Sequence, residues 1–207
     1  MLKKKTTDVA PQHKNVIHNP GEAVSDWEQA LRYIKEGNER YLEKRGVARD
    51  TYERDRLVLK DGQKPFAVVV TCADSRVAPE IFLDLKPGDI FVVRNAGNIA
   101  DSTALGSIEY AVEHLKTPLV LVIGHSKCGA VTGALHGGDF PENLSLLIGA
   151  IGEAIGGCGS LGDAITANVM HSVDTIRANK VIDTFSTKVI GAHYDIETGA
   201  VSYITEP

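Results

Sequence analysis

Cys72, His125 and Cys128 are the residues of this 207-residue chain whose types and spacing best suit chemistry. Two thiolates and an imidazole form a soft-to-borderline donor set that suits Zn²⁺, and three protein ligands leave a fourth position open for reaction. His125 and Cys128 can reach one ion from a single turn of chain, whereas Cys72 must be brought to them by the fold. Two thiolates neutralise the ion's charge, so a bound water should stay above the pKa of ~7 typical of an all-histidine zinc site. Something nearby must then help the water ionise. Asp74 stands two residues past the first ligand, and Arg76 is placed to pair with it and hold it ionised. The plainer alternative for Asp74 and Arg76 is a structural ion pair.

The other candidates are weaker. Cys158 reads as a small buried hydrophobe in a glycine-rich loop. His13, His18, His114, His136, His171 and His193 show no ligand spacing and read as surface or core residues. The stretch Gly124-His125-Ser126-Lys127-Cys128-Gly129 superficially suggests a phosphate loop, but the Walker spacing is absent.

These residues need a scaffold that converges them. The run Phe66 to Thr71 is continuously apolar, as a strand buried on both faces should be, and it delivers Cys72, Asp74 and Arg76. A second such run, Leu119 to Gly124, delivers His125 and Cys128. Between them Ile90 to Arg94 reads as a strand, and Pro79 to Leu85 and Thr103 to Leu115 read as helices. Sites in parallel α/β sheets form beyond the carboxyl ends of strands, so neighbouring strands would bring the three ligands together.

Upstream, Ser25 with Glu28 suggests a capping box. Trp27, Ala30, Leu31, Ile34, Tyr41 and Leu42 keep helical spacing up to a stop at Gly46. Downstream, helices are predicted over 129–135, 143–155 and 164–178. A hairpin is predicted from Lys188–Tyr194 and Ala200–Ile204 around Glu197-Thr198-Gly199. The expected fold is α/β, a mainly parallel sheet flanked by helices with an antiparallel C-terminal edge strand. Residues 1–22 read as an N-terminal arm, and 23–207 as a single domain.

Composition narrows the classes. Apolar residues make up 43% and charged residues 24%, with a formal net charge of −5 and a pI near 5.8. A mildly acidic chain without clustered Lys and Arg is a poor nucleic-acid binder. No run approaches the length of a membrane span, and no signal-peptide core follows the basic first residues. Three cysteines do not make a disulfide framework. The expected location is cytoplasmic, with a mature exported form as the alternative.

The ordered segments resemble those of β-class carbonic anhydrases. Cys72-Ala73-Asp74-Ser75-Arg76 resembles their C-x-D-S-R signature. Gly124-His125-Ser126-Lys127-Cys128-Gly129 resembles their G-H-x-x-C-G segment, and Arg94-Asn95-Ala96-Gly97-Asn98 resembles the R-N-x-x-N segment between them. Segments around Ser107–Val112 and Tyr194–Gly199 are also similar to the family's, while residues 137–166 follow it poorly. The resemblance implies one zinc per chain held by Cys72, His125 and Cys128, with Asp74 able to take the fourth position in a closed state and Arg76 drawing it away in the open one. It implies reversible hydration of carbon dioxide to bicarbonate through zinc-bound hydroxide. It implies a homodimer or homotetramer in which the N-terminal helical arm packs on a partner. By similarity Gln63 would hydrogen-bond substrate, the Gly129 amide would face its oxygens, and Phe91 and Tyr110 would line the pocket across the dimer interface. Val69 stands where a bicarbonate-regulated subgroup of the family carries Trp. The alternatives are hydrolysis of carbonyl sulfide or carbon disulfide on the same fold, and a zinc-binding scaffold without catalysis.

Overall fold

The apolar run at 66–71 folds as a strand, Ala67–Cys72 (β1), with all six residues buried. In the computed structural model, which describes residues 17–46 and 52–205, β1 lies inside a five-stranded sheet, one strand in from its edge. On one side it pairs in parallel with Ile90–Asn95 (β2), which forms the sheet's edge. On the other it pairs in parallel with Leu119–His125 (β3). Lys188–Tyr194 (β4) extends the parallel set, and Val201–Tyr203 (β5) closes the far edge antiparallel to β4. The predicted mixed sheet and terminal hairpin are both present.

Alternation along the strands sorts their side chains into two layers. Ala67, Val69, Leu119, Leu121 and Ile123 face a cluster completed by Leu31 and Ile34 of helix Trp27–Leu42 (α1) and by Phe82 of the short helix Pro79–Phe82 (α3). Val68, Val70, Val120 and Val122 face the other way. They meet Ile108 and Val112 of Ser102–Glu113 (α4) and Val169, Val173 and Ile176 of Leu161–Arg177 (α7). Burial on both faces is what made these strands read as unbroken apolar runs.

A third apolar cluster lies over the carboxyl end of the sheet. It joins Cys72 and Cys128 to Val131 of Gly129–His136 (α5), Ile151 of Glu142–Ala154 (α6), and Ala164 and Ile165 of α7. The half-buried Cys158 packs against this cluster, in keeping with its reading as a small apolar side chain.

Several local expectations shift. The α1 cap is Asp26, whose carboxylate accepts from the Glu28 amide at 2.9 Å, not Ser25; a carboxylate is the stronger acceptor, and the helix starts one residue later. Helix α3 ends at Phe82 rather than Leu85, and Asp84 then takes a left-handed φ of 48°. Two short helices had no apolar stripe to announce them, Tyr52–Val58 (α2) and Lys180–Thr184 (α8), which bury only Asp55 and Ile182 respectively. Of the expected N-terminal arm, residues 1–16 lie outside the described residues. Within the remainder His18 is buried against Asp89 of its own chain.

Candidate metal centre

β1 and β3 are neighbours, so Cys72 and His125 emerge side by side at the carboxyl end of the sheet. After His125 the chain turns through Lys127, held at φ 58°, and presents Cys128 as the N-cap of α5. The two sulfurs and an imidazole nitrogen lie within 4.8 Å of one another, and all three residues are buried. The predicted ligand trio is therefore one cluster.

Its hydrogen bonds fit a metal. His125 Nδ1 lies 3.0 Å from the Ser126 carbonyl, which can only accept, so Nδ1 carries the proton and Nε2 keeps its lone pair. That Nε2 is fully buried and has no hydrogen-bond partner. A buried imidazole nitrogen left empty costs stability unless something fills its lone pair. Two backbone amides point at Cys72 Sγ, from Gly97 at 3.3 Å and Asp74 at 3.4 Å. Contact with Cys128, with further help from these amides, pulls the Cys72 thiol down despite its burial. The same contact and burial push Cys128 up, against the pull of the Val131 and Ala130 amides at the start of α5. A divalent cation held between the two sulfurs would favour both as thiolates.

Beside the trio, Arg76 Nε and Nη2 donate to the two oxygens of Asp74 at 2.9 and 2.7 Å. These bonds, strengthened by the Arg76 backbone amide, hold the Asp74 carboxyl far below the usual carboxylate range. Asp74 Oδ2 stands 4.0 Å from His125 Nε2. Arg76 Nη2 also reaches the Lys127 carbonyl at 3.3 Å and so ties the two ligand loops together.

Arg94 is a residue whose role the motif spacing did not reveal. Its Nε donates to the Cys72 carbonyl at 3.1 Å, and its Nη2 to the carbonyls of Asp74 and Val77 at 3.0 and 2.7 Å. One side chain thus fixes three carbonyls of the first ligand loop. The signal available was an arginine at the end of a strand, directly after an apolar run.

The expected substrate residues divide. Gly129 is the first residue of α5, next to Cys128 and exposed. Gln63, Phe91 and Tyr110 do not join the trio within one chain. Gln63 precedes β1 and lines a groove of about 340 Å³ with Val24, Pro65 and His114 at the opposite end of the sheet. Phe91 pairs with Val68 on the edge strand, and its ring lies 6.2 Å from that of the exposed Tyr110. Phe91 also lines a groove of about 290 Å³ with Arg94, Asn95 and Ser107 along that edge.

Comparison with known proteins agrees with this geometry. Residues 67–201, more than half of the chain, match a family model described as carbonic anhydrase. Carbonic anhydrase 2 of Mycobacterium tuberculosis is 53% identical over 106 residues, covering 51% of this chain and 51% of the relative. A carbonic anhydrase of Mycolicibacterium smegmatis is 45% identical over 118 residues, covering 56% and 57%. The chain thus spans about half the length of the curated relatives it matches. Among solved structures, tetrameric β-carbonic anhydrases of Sordaria macrospora superpose with a TM-score of 0.67 at 25% identity, over 86% of this chain and 98% of theirs. A Coccomyxa β-carbonic anhydrase in complex with acetazolamide superposes with a TM-score of 0.68 at 26% identity, over 89% and 88%.

Proposed function

The chain belongs to the carbonic anhydrase family, in its β class, and from that premise we propose that it interconverts carbon dioxide and bicarbonate at a zinc ion held by Cys72, His125 and Cys128. The observation that carries the reading is the buried, unpartnered His125 Nε2, set among two sulfurs beside a carboxylate that an arginine holds aside. Zinc held there supplies a Lewis acid that makes water a nucleophile near neutral pH.

The chain's own residues do the rest. Asp74, ionised by its bonds to Arg76, accepts a hydrogen bond from the reacting water and orients it. A carboxylate doubly bonded by arginine serves as a hydrogen-bond acceptor for that water. Asp74 Oδ2 lies 4.0 Å from His125 Nε2, so a carboxylate freed from Arg76 would be the nearest further residue to hold the ion. Val131, Ile151 and Ile165 pack with the two sulfurs in one buried apolar cluster that keeps water from that side of the trio.

The remaining residues fit an assembly. Phe91 and Tyr110 sit on an exposed edge, where a second copy of the chain would place them against its neighbour's site, with Gln63. The assembly we propose is a homodimer or homotetramer, with the N-terminal arm contributing to the partner contact. The test is stopped-flow carbon dioxide hydration at pH 7 and pH 8.5, with zinc quantified in the same sample. About one zinc per chain with activity rising with pH supports the enzyme. Zinc without hydration, together with sulfide release from carbonyl sulfide, moves the substrate to the sulfur analogues. Zinc with neither activity leaves a scaffold.

A further inference from the structure

The Gly97 amide that points at Cys72 Sγ sits in a turn bonded from a helix that carries none of the metal-binding motifs. That turn, Ala96–Asn98, has two consecutive left-handed residues, Gly97 at φ 77° and Asn98 at φ 49°. Such a turn aims its amides inward, and with a non-glycine residue in it the turn persists only where its surroundings impose it. Asn95 bridges its base, accepting from the Ile99 amide at 2.9 Å and donating to the Ile99 carbonyl at 2.8 Å. The apex is held from α7. Asn168 Nδ2 donates to the Gly97 carbonyl at 2.7 Å, and Ser172 Oγ donates to the Asn98 carbonyl at 3.0 Å. These two residues lie four apart, on one face of the helix, and each is 1% exposed.

Packing alone does not account for them. Asn168 Oδ1 and Asn98 Nδ2 are buried with no hydrogen-bond partner, so each amide uses only part of its capacity. What Asn168 supplies at this buried position is its bond to the Gly97 carbonyl, made at the cost of an unpaired Oδ1.

We propose that Asn168 and Ser172 are positioning residues that hold the Gly97 amide on Cys72 Sγ and thereby set how strongly that thiolate donates to the metal. The proposal rests on reading Cys72, His125 and Cys128 as a zinc site. An N–H donor draws electron density from the sulfur, so losing it makes the thiolate a more strongly donating, less sharply placed ligand.

The test uses the full chain loaded with Zn²⁺, and separately with Co²⁺, as wild type and as Ser172→Ala, Ser172→Thr and Asn168→Leu. Three quantities are read: zinc affinity by chelator competition, the thiolate-to-cobalt charge-transfer band, and the thermal midpoint. Ser172→Ala and Asn168→Leu should bind zinc about 10-fold more weakly or worse, as loss of an outer-shell partner does. Both should move the cobalt band to longer wavelength, and Ser172→Thr, which keeps the hydroxyl, should restore both readings. Unchanged affinity and band in Ser172→Ala, with only the thermal midpoint lowered, overturns the proposal and leaves the zinc site standing. Should Asn168→Leu fail to fold, the Ser172 pair decides alone. A wild-type chain that takes up neither metal overturns the zinc reading and this proposal with it.

Discussion

Arg76 grips both oxygens of Asp74, Nε donating to Oδ1 at 2.9 Å and Nη2 to Oδ2 at 2.7 Å. The fork-on-carboxylate geometry fixes direction as well as charge. It turns the carboxylate away from the lone pair of His125 Nε2, 4.0 Å off. Removing the fork frees Asp74 to move onto the position that the reacting water needs. Arg76→Ala should therefore keep its zinc and lose about 100-fold in carbon dioxide hydration, the scale of losing a positioned electrostatic partner. Arg76→Lys, with a point charge in place of the fork, should fall between. Stopped-flow rates normalised to bound zinc check this, and wild-type turnover in Arg76→Ala would refute the role.

The ligands themselves should behave as a unit. Cys72→Ser removes the sulfur that two amides support, and His125→Ala removes the unpartnered nitrogen. Each should lower zinc affinity by more than the ~10–100-fold typical of an outer-shell change, and hydration should fall in proportion to lost zinc. Dialysis against a chelator should abolish wild-type activity and added zinc restore it. A metal-free variant with full activity would remove the site from the mechanism.

A third prediction concerns the scaffold. Gly37 lies within α1, where alanine is ordinarily preferred by about 1 kcal/mol. Here a Cβ would stand 1.9 Å from the Leu83 carbonyl oxygen, just past α3. Backbone cannot yield as a side-chain tip can, so the clash outweighs the helix preference. Gly37→Ala should lose about 1–3 kcal/mol of stability in urea unfolding, and a stabilised variant would mean that α1 and α3 do not pack this closely.

How far the sequence carried depended on what each residue touches. Valines and leucines buried on both faces of β1 and β3 have no choice but to form an unbroken apolar run, so these strands were legible, and the convergence of Cys72 on His125 followed once they proved to be neighbours. Helices α2 and α8 were not, because Asp55 and Ile182 are their only buried residues and leave no periodicity to read. Within the site, donor types identified the trio, but nothing local revealed what Arg94, Asn168 or Ser172 hold. Their partners are backbone carbonyls 17 to 74 positions away, and carbonyls have no sequence identity. Phe91 and Tyr110 were placed beside the substrate by resemblance alone. One chain leaves them on the sheet's edge, where their rings face each other rather than the metal trio.

The remaining prediction concerns pH and stability at His18, which is far from the metal trio in the fold. Its Nδ1 lies 2.7 Å from Asp89 Oδ1, and its Nε2 lies 3.1 Å from the Glu22 carbonyl. Both partners accept, so the imidazole is fully satisfied only when both nitrogens carry protons. Burial against Tyr33 and Phe66 by itself lowers the pKa of His18. The hydrogen bond and charge of Asp89, with the Glu22 carbonyl, outweigh that and leave it raised above 6.5. A group whose pKa is raised on folding stabilises fully below its unfolded value and loses that contribution as the pH climbs through its folded value. The wild type should therefore exceed His18→Gln in stability at pH 6, by about 1.5–3 kcal/mol for a buried hydrogen bond to a charged group. The gap should narrow steadily as the pH rises past 6.5 towards 9. Urea unfolding of both proteins across that range measures it. A gap that stays constant, or widens with pH, would mean that His18 is buried neutral and that Asp89 finds its main partner in the Lys86 amide, 2.7 Å away.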